Sequence, residues 1–477
     1  MSIKKKAISG VKWTGVSTLF GSLSQILKIA ILARFLSPDD FGLMALAMVV
    51  IGFTQTFADG GVSNAIIYKQ DIDKKQLSSL YWFNVFIGFF LFILILIITP
   101  LFSSFYGEEE LKKIIPIIGI TVLLQSFSFQ FRALFEKELR FDLLSKAEVL
   151  SKFLSLLFAV FLAYEGYKVY ALVYSFVLMV LSEVILVVFY GLKIHRPSFY
   201  FSFRDILFFV RFGMFQLGER LTNYFTSQLD VILIGKLLGT DTVGIYSVVK
   251  QVVMRPAYLI NPVITRVSFP IMSKFQNDIR KLKDIYLKTV KYVASINFFV
   301  YWIMIVLAPE LIYILLGEKW LPYATVFQLL SGYFMFRSIG NPVGSLILAR
   351  GKPDVEFYWN IVMVFYISLW IVLGSIYGII GVSFSLAASH LILITVDWYF
   401  LVRKMCKAEF FEYHREILNP LIISSVVGLL TLIFKGFLSG IFVKIVVLGI
   451  TGTLIYFGLN YIFNRDFIKL SKEIIHR

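Results

Sequence analysis

The chain has 477 residues, 58% hydrophobic and 17% aromatic, with a formal charge of +16 and only 16% charged residues. At a mean hydropathy of +0.81, it has too few polar side chains to cover a soluble protein of this size, which excludes a water-soluble globular class. No long polar stretch remains for a soluble catalytic domain, and the single cysteine, Cys406, excludes a disulfide framework.

Apolar runs of about 20 residues, the length that crosses roughly 30 Å of hydrocarbon, recur from end to end. In chain order they predict fourteen helices, near 11–35, 41–66, 79–103, 113–135, 147–165, 168–191, 206–236, 241–270, 287–316, 322–349, 355–378, 380–402, 417–436 and 440–463. The first run is interrupted by Gln25 and Lys28 and lacks a small-residue cleavage site, so it reads as a retained helix and not a signal peptide. Several runs exceed what a bilayer needs and must tilt, kink or project beyond it. Pro256, Pro262 and Pro342 lie inside the eighth and tenth helices and predict bends there.

Lysine and arginine set the orientation. They gather at the N-terminus (Lys4, Lys5, Lys6, Lys12) and in the even-numbered connections, from Lys69, Lys74 and Lys75 to Arg403, Lys404 and Lys407. The odd-numbered connections are short and poor in base, and the third is acidic, with Glu108, Glu109 and Glu110. Both termini are therefore expected in the cytoplasm. The net charge then reflects this inside bias and attraction to anionic membrane lipids. Because the bases are spread over many loops, nucleic acid is not an expected partner.

A doubled segment organises the chain. ARFLSPDDFGL (33–43) and GKLLGTDTVGI (235–245) each follow one apolar run and open the next, 202 residues apart. That offset sets Arg34 on Lys236, Asp39 on Asp241, Gly42 on Gly244 and Asp59 on Asn261; further on, Gly166 matches Gly378 at an offset of 212. Six helices per copy is an even number, so the copies share one orientation about an axis along the membrane normal. The expected divisions are 1–202, 203–404 and a tail of two helices, 405–477.

Catalytic motifs are missing. There is no phosphate-binding loop of the GxxxxGK type and no GxSxG elbow, and His195, His390, His414 and His476 lack metal-ligand spacing. No metal, no cofactor and no enzymatic activity are expected.

LARFLSPDDFG, FADGGVSNAIIYK and LDVILIGKLLGTDTVGIYSVV together resemble the Wzx-type polysaccharide flippases, the polysaccharide transporter branch of the multidrug/oligosaccharidyl-lipid/polysaccharide exporter superfamily. FEKELRFDLLSKAEVLSK followed by GYKVYALVYSFV is most similar to the colanic-acid and teichuronic-acid exporter subgroup. The resemblance implies an all-α integral membrane protein of a bacterial cytoplasmic membrane, with two six-helix lobes and two further helices. It also implies movement of a polyprenyl-diphosphate-linked oligosaccharide to the outer leaflet, alongside the polysaccharide polymerase machinery.

An anionic head crossing hydrocarbon needs a cationic, polar path. Gln216, Arg220, Asn223 and Ser227 step by four, three and four residues, which keeps them on one face of the seventh helix. Gln216, Arg220 and Asn223, with Lys28, Lys250, Arg255 and Arg337, form the expected substrate-binding set, on helices flanking a gap between the lobes. Lys28 and Lys250 could equally snorkel to headgroups, and Arg255 and Arg337 could hydrogen-bond neighbouring helices. Arg132, Arg211 and Arg266 read as anchors at the inner surface. Asp59, Asp230, Glu219 and Asp397, together with Glu183, are acids in or near spans, suited to protons or sodium ions as coupling ions or to structural ion pairs. Three alternatives remain open: a lipid II flippase, a multidrug/cation antiporter of the same superfamily, and a membrane glycosyltransferase or polymerase, for which the outer connections look too short.

Overall fold

The two similar turn segments are built from local chemistry. Ser37 follows the first helix by two residues and caps the second: its hydroxyl accepts from the Asp40 N–H at 3.2 Å, and the Asp40 carboxylate accepts from the Ser37 N–H at 2.8 Å. Pro38 then occupies the first helical position, where no N–H is needed. In the second copy Gly239, at φ 86°, makes the corner and Thr240 opens the next helix.

The computed structural model describes the backbone of residues 3–59 and 61–464; the side chains of residues 3–8, 11 and 214–219 fall outside that description. All regular structure among the described residues is helical. The α-helices are α1 (Ile3–Phe35), α2 (Pro38–Ala58), α3 (Val62–Tyr68), α4 (Lys74–Tyr106), α5 (Leu111–Ser126), α6 (Phe129–Lys137), α7 (Phe141–Tyr164), α8 (Val169–Gly191), α9 (Phe203–Leu238) and α10 (Thr240–Val253). Then follow α11 (Arg255–Lys274), α12 (Ile279–Val306), α13 (Ala308–Leu315), α14 (Ala324–Arg337), α15 (Asn341–Ala349), α16 (Pro353–Ser375), α17 (Gly378–Asp397), α18 (Arg403–Cys406), α19 (Phe410–Lys435) and α20 (Ile441–Phe463). Ten of the described helical segments are long and apolar enough to cross a membrane, or eleven if α5 and α6, bent by 45° at Phe127–Ser128, form one span. The protein is a multi-pass membrane protein.

The chain divides into two units, Met1–Ser247 and Val248–Arg477. In the first, α1 lies along α7, α7 along α8, α4 along α5, and α2 against α9. Val62, Ile66, Leu80, Phe131, Phe135, Ile206 and Phe209 form a buried cluster that fixes α3 among α4, α6 and α9. In the second unit α12 packs against α11, α14 and α19, while α17 packs on α14 and α16. The last two helices are tied in by burial of Ile423, Val427 and Tyr456, and by a hydrogen bond from the Tyr456 hydroxyl to the Ser295 carbonyl at 2.5 Å.

Two of the three prolines mark real breaks. Helix α11 begins at Arg255–Pro256, directly after α10 ends, and Pro342 is in the first turn of α15, after a 3-10 turn at Ser338–Gly340. At Pro262, in contrast, α11 runs through without interruption. Proline is tolerated in a first helical turn, so chain breaks settle next to the prolines that can serve as starts.

Positive backbone angles recur along the chain. Gly107 and Gly317 (φ 75° and 96°) are 210 residues apart; Leu139 and Gly351 (58° and 67°), and Gly166 and Gly378 (82° and 66°), are each 212 apart. The offset that the sequence shows between Gly166 and Gly378 is thus shared by the turn at Leu139 and Gly351, and the pair Gly107 and Gly317 falls two residues short of it.

Candidate functional site: an ion pair at a broken helix

Helix α2 stops at Asp59. Gly61, at φ 69°, then starts α3, a conformation that favours glycine. A Cβ on Gly61 would land on the backbone of Gly213, so the junction lies directly against α9. Gly60 lies outside the described residues. The Tyr224 hydroxyl of α9 donates to the Val49 carbonyl of α2 at 2.6 Å, which holds the same two helices together nearer the turn.

At this junction the carboxylate of Asp59 has two different neighbours. Its Oδ1 accepts from the Ser63 N–H at 3.1 Å and the Ser63 hydroxyl at 2.5 Å, and so caps α3. Its Oδ2 faces the Arg220 Nη1 of α9 at 3.7 Å. The Asp59 side chain is 14% exposed and that of Arg220 36% exposed. Arg220 is 18 residues from the Leu238 end of α9, about 27 Å at 1.5 Å per residue, so it sits far from the turn. Glu136 of α6 is close enough to interact with both Asp59 and Arg132, and Arg132 itself pairs with Glu183. This ion pair between α6 and α8 accounts for Arg132 more specifically than surface anchoring does.

Asn223 and Ser227 are exposed one and two turns along from Arg220. Gln216 and Glu219, expected beside them, have side chains outside the described residues.

The other expected residues are separate from this pair. Lys28 is packed between α7 and α8, where its amine donates to the hydroxyls of Ser155 at 3.0 Å and Ser175 at 2.8 Å. Asp230 is buried in the α9–α10 hairpin and accepts from the Tyr246 hydroxyl at 2.6 Å and the Val231 N–H at 2.8 Å. In the second unit, Lys250 is partly buried on α10, and the Arg255 Nε is buried without a hydrogen-bond partner. The Arg337 Nη1 donates to the Tyr333 hydroxyl at 2.9 Å, and its guanidinium lies 5.6 Å and 5.7 Å from the Tyr333 and Phe334 ring centres. Asp397 is buried beside the Trp359 indole, its Oδ1 without a hydrogen-bond partner, just before a π-helical turn at Trp398–Val402.

Sequence reasoning missed the partners that decide these roles. Ser63 could have been found from its place four residues after Asp59, one helical turn on. Tyr246, Ser155 and Ser175 carry no such signal. No group of three or more histidine, cysteine or acidic side chains suited to a metal ion occurs among the described residues. Outside the spans, the acidic third connection is pinned in place: Glu108 accepts from Thr240, and Glu110 accepts from Tyr170 at 2.7 Å. The Tyr170 hydrogen bond, helped by Lys113, holds the Glu110 carboxyl below its usual range.

This helical multi-pass fold, with paired charges inside its first unit, can be compared with known proteins. The chain belongs to the polysaccharide biosynthesis protein family, whose description its residues 31–325 match. It is 30% identical to the teichuronic acid biosynthesis protein TuaB of Bacillus subtilis, over 90% of this chain and 89% of that one. It is 27% identical to the lipopolysaccharide biosynthesis protein WzxC of Escherichia coli, over 89% and 86%. Its fold is similar to that of the lipid II flippase MurJ in an inward closed conformation, with a TM-score of 0.77 at 15% identity, covering 96% of this chain and all of the other.

Proposed function

We propose that the protein is a flippase that carries a polyprenyl-diphosphate-linked oligosaccharide, the repeat unit of a surface polysaccharide, from the cytoplasmic to the outer leaflet of the cytoplasmic membrane. The observation that carries this reading is similarity along nine-tenths of the chain to proteins named for surface-glycan biosynthesis, in a molecule built from membrane helices. A precursor assembled on a membrane lipid must cross the bilayer before it is polymerised outside, and a chain of this construction is suited to that step and not to bond making. Similarity to relatives named for teichuronic acid and lipopolysaccharide favours a surface-glycan unit over lipid II.

In this reading fourteen spans cross the membrane. Besides the eleven apolar ones, with α5 and α6 as one span, α9, the α10–α11 pair and the α14–α15 pair also cross, their charged residues facing polar surroundings. Two six-helix repeats of one orientation, 1–202 and 203–404, are followed by a helix pair in 405–477, with both termini cytoplasmic. The recurring positive-φ turns support the doubling. Arg220 receives the diphosphate, with Lys28, Lys250, Arg255 and Arg337 lending positive potential along the route and Gln216 and Asn223 contacting sugar hydroxyls. Transport runs by alternating access. The membrane potential, negative inside, favours outward movement of the anionic head by about 2.3 kcal/mol per charge per 100 mV. Exchange of protons or sodium at Asp59, Glu219, Asp230 or Asp397 adds to it, and the polymerase machinery receives the product.

Deleting the gene and quantifying lipid-linked oligosaccharide by leaflet tests the function. Single units stranded on the cytoplasmic side support it; single units accumulating outside would identify a polymerase defect and sink it. In the same strain, Arg220→Ala should fail to restore export while reaching normal membrane abundance.

A further inference from the structure

We infer that Asp59 is the internal counter-ion that substrate displaces: the carboxylate occupies the place at Arg220 that the diphosphate takes over. The inference rests on the flippase reading and on Arg220 as the anion-binding residue.

Four observations carry it. The contact is long, with the Arg220 Nη1 facing the Asp59 Oδ2 at 3.7 Å, beyond good hydrogen-bond range and short of the close two-pronged geometry that makes such pairs strong. A diphosphate offers the guanidinium several oxygens and more charge, so it competes well. Next, Asp59 is not stranded by the exchange. Its Oδ1 keeps both Ser63 hydrogen bonds whether or not Oδ2 faces Arg220, so the penalty of an unsatisfied buried carboxylate is largely avoided. Arg220 is also over one-third exposed while Asp59 is mostly covered, which leaves the guanidinium open to an incoming anion. Finally, Asp59 is at the break between α2 and α3, and Gly61 of that break packs on the α9 backbone at Gly213. Loss of the ion pair therefore acts at a junction between the two helices that carry its halves.

Two of the other expected charged residues are held by close partners. Lys28 is held by two hydroxyls and Asp230 by Tyr246 and a backbone N–H. The Arg132–Glu183 pair between α6 and α8 also leaves its base accessible; the Asp59–Arg220 pair differs in lying at the break between α2 and α3.

The test measures binding of farnesyl diphosphate, a short polyprenyl diphosphate, to the purified full-length protein, with farnesol as control. Arg220→Ala should weaken binding about tenfold, in line with loss of a charge-assisted contact. Asp59→Asn should tighten binding about fivefold, because the competing charge is gone while the amide oxygen still accepts from Ser63. The double variant should bind like Arg220→Ala alone, with no gain from removing Asp59. Weaker or unchanged binding by Asp59→Asn, with Arg220→Ala still impaired, would overturn the exchange and leave the reading of Arg220 intact. Unchanged binding by Arg220→Ala would overturn that reading itself. Thermal melting of each variant separates loss of binding from loss of fold.

Discussion

The two copies of the repeated turn meet each other, while the helices hanging from them do not match. A Cβ on Gly42 would fall on the Thr240 carbonyl, and one on Gly244 would fall on the Pro38 carbonyl. Gly42 corresponds to Gly244, and Pro38 to Thr240, at the same 202-residue offset, so the contact is reciprocal. About 10 Å below the first turn, Lys28 is bound to serine hydroxyls; about 12 Å below the second, Asp230 is bound to a tyrosine. The breaks differ too: α2 ends at Asp59, whereas α10 gives way at Met254, the counterpart of Gly52. Backbone packing at the turn keeps the copies alike. Side chains beneath it are free to diverge, and there the charged residues of the two copies differ.

This contrast can be broken most sharply at the glycines. Gly42→Val and Gly244→Val should each destabilise by about 3 kcal/mol or more, since backbone carbonyls cannot move aside as a flexible side chain can. The two losses should be similar in detergent thermal melts. Tolerance of either one would mean that the turns do not form a reciprocal contact.

A smaller effect is expected one level down. Tyr246→Phe should cost about 2 kcal/mol by removing a hydrogen bond to a buried carboxylate, and Asp230→Asn less, because the amide oxygen still accepts it. Lys28→Met should cost about 1 kcal/mol or less, with its stem still packed, and should reduce export only in part. If Lys28→Met abolished export at normal stability, the first copy would hold a binding residue equal to Arg220, and the asymmetry drawn above would fail.

The weakest effects lie in the matched positive-φ turns. Gly351→Ala should cost about 1 kcal/mol from the left-handed backbone alone, because nothing lies within 4 Å of the added carbon. Leu139→Gly, at the counterpart, should change stability by less, relief of strain offsetting greater freedom of the unfolded chain. Equal losses at both sites would show that the Leu139 side chain contributes packing the backbone argument omits. At the acidic connection, the lowered Glu110 titration means that its bond to Tyr170 stabilises at neutral pH and is lost as pH falls through the carboxylate range. Tyr170→Phe should flatten that small acid dependence in melting curves, and an unaltered curve would remove Glu110 as its source.

Several of these features are legible in the sequence. The repeat, the turn residues and the helical class follow from periodicity and local capping chemistry, which act over a few residues and leave marks such as SPDD and GTDT. The stripe through Arg220 and Asn223 was likewise visible, because helix spacing alone sets a face. The same spacing placed Lys28 and Arg220 on equal terms, both being bases in apolar runs. What separates them is Ser155 and Ser175 in one case and Asp59 in the other, and those neighbours arrive from helices far along the chain.

The sequence by itself determined the solvent, the helical architecture and the family, since each is written in composition or in short-range order. Only tertiary structure decided which charges are spent holding helices together and which stay open to a ligand. The reason is that a charge in an apolar medium is governed by its nearest partner, and which partner that is depends on how separate helices pack.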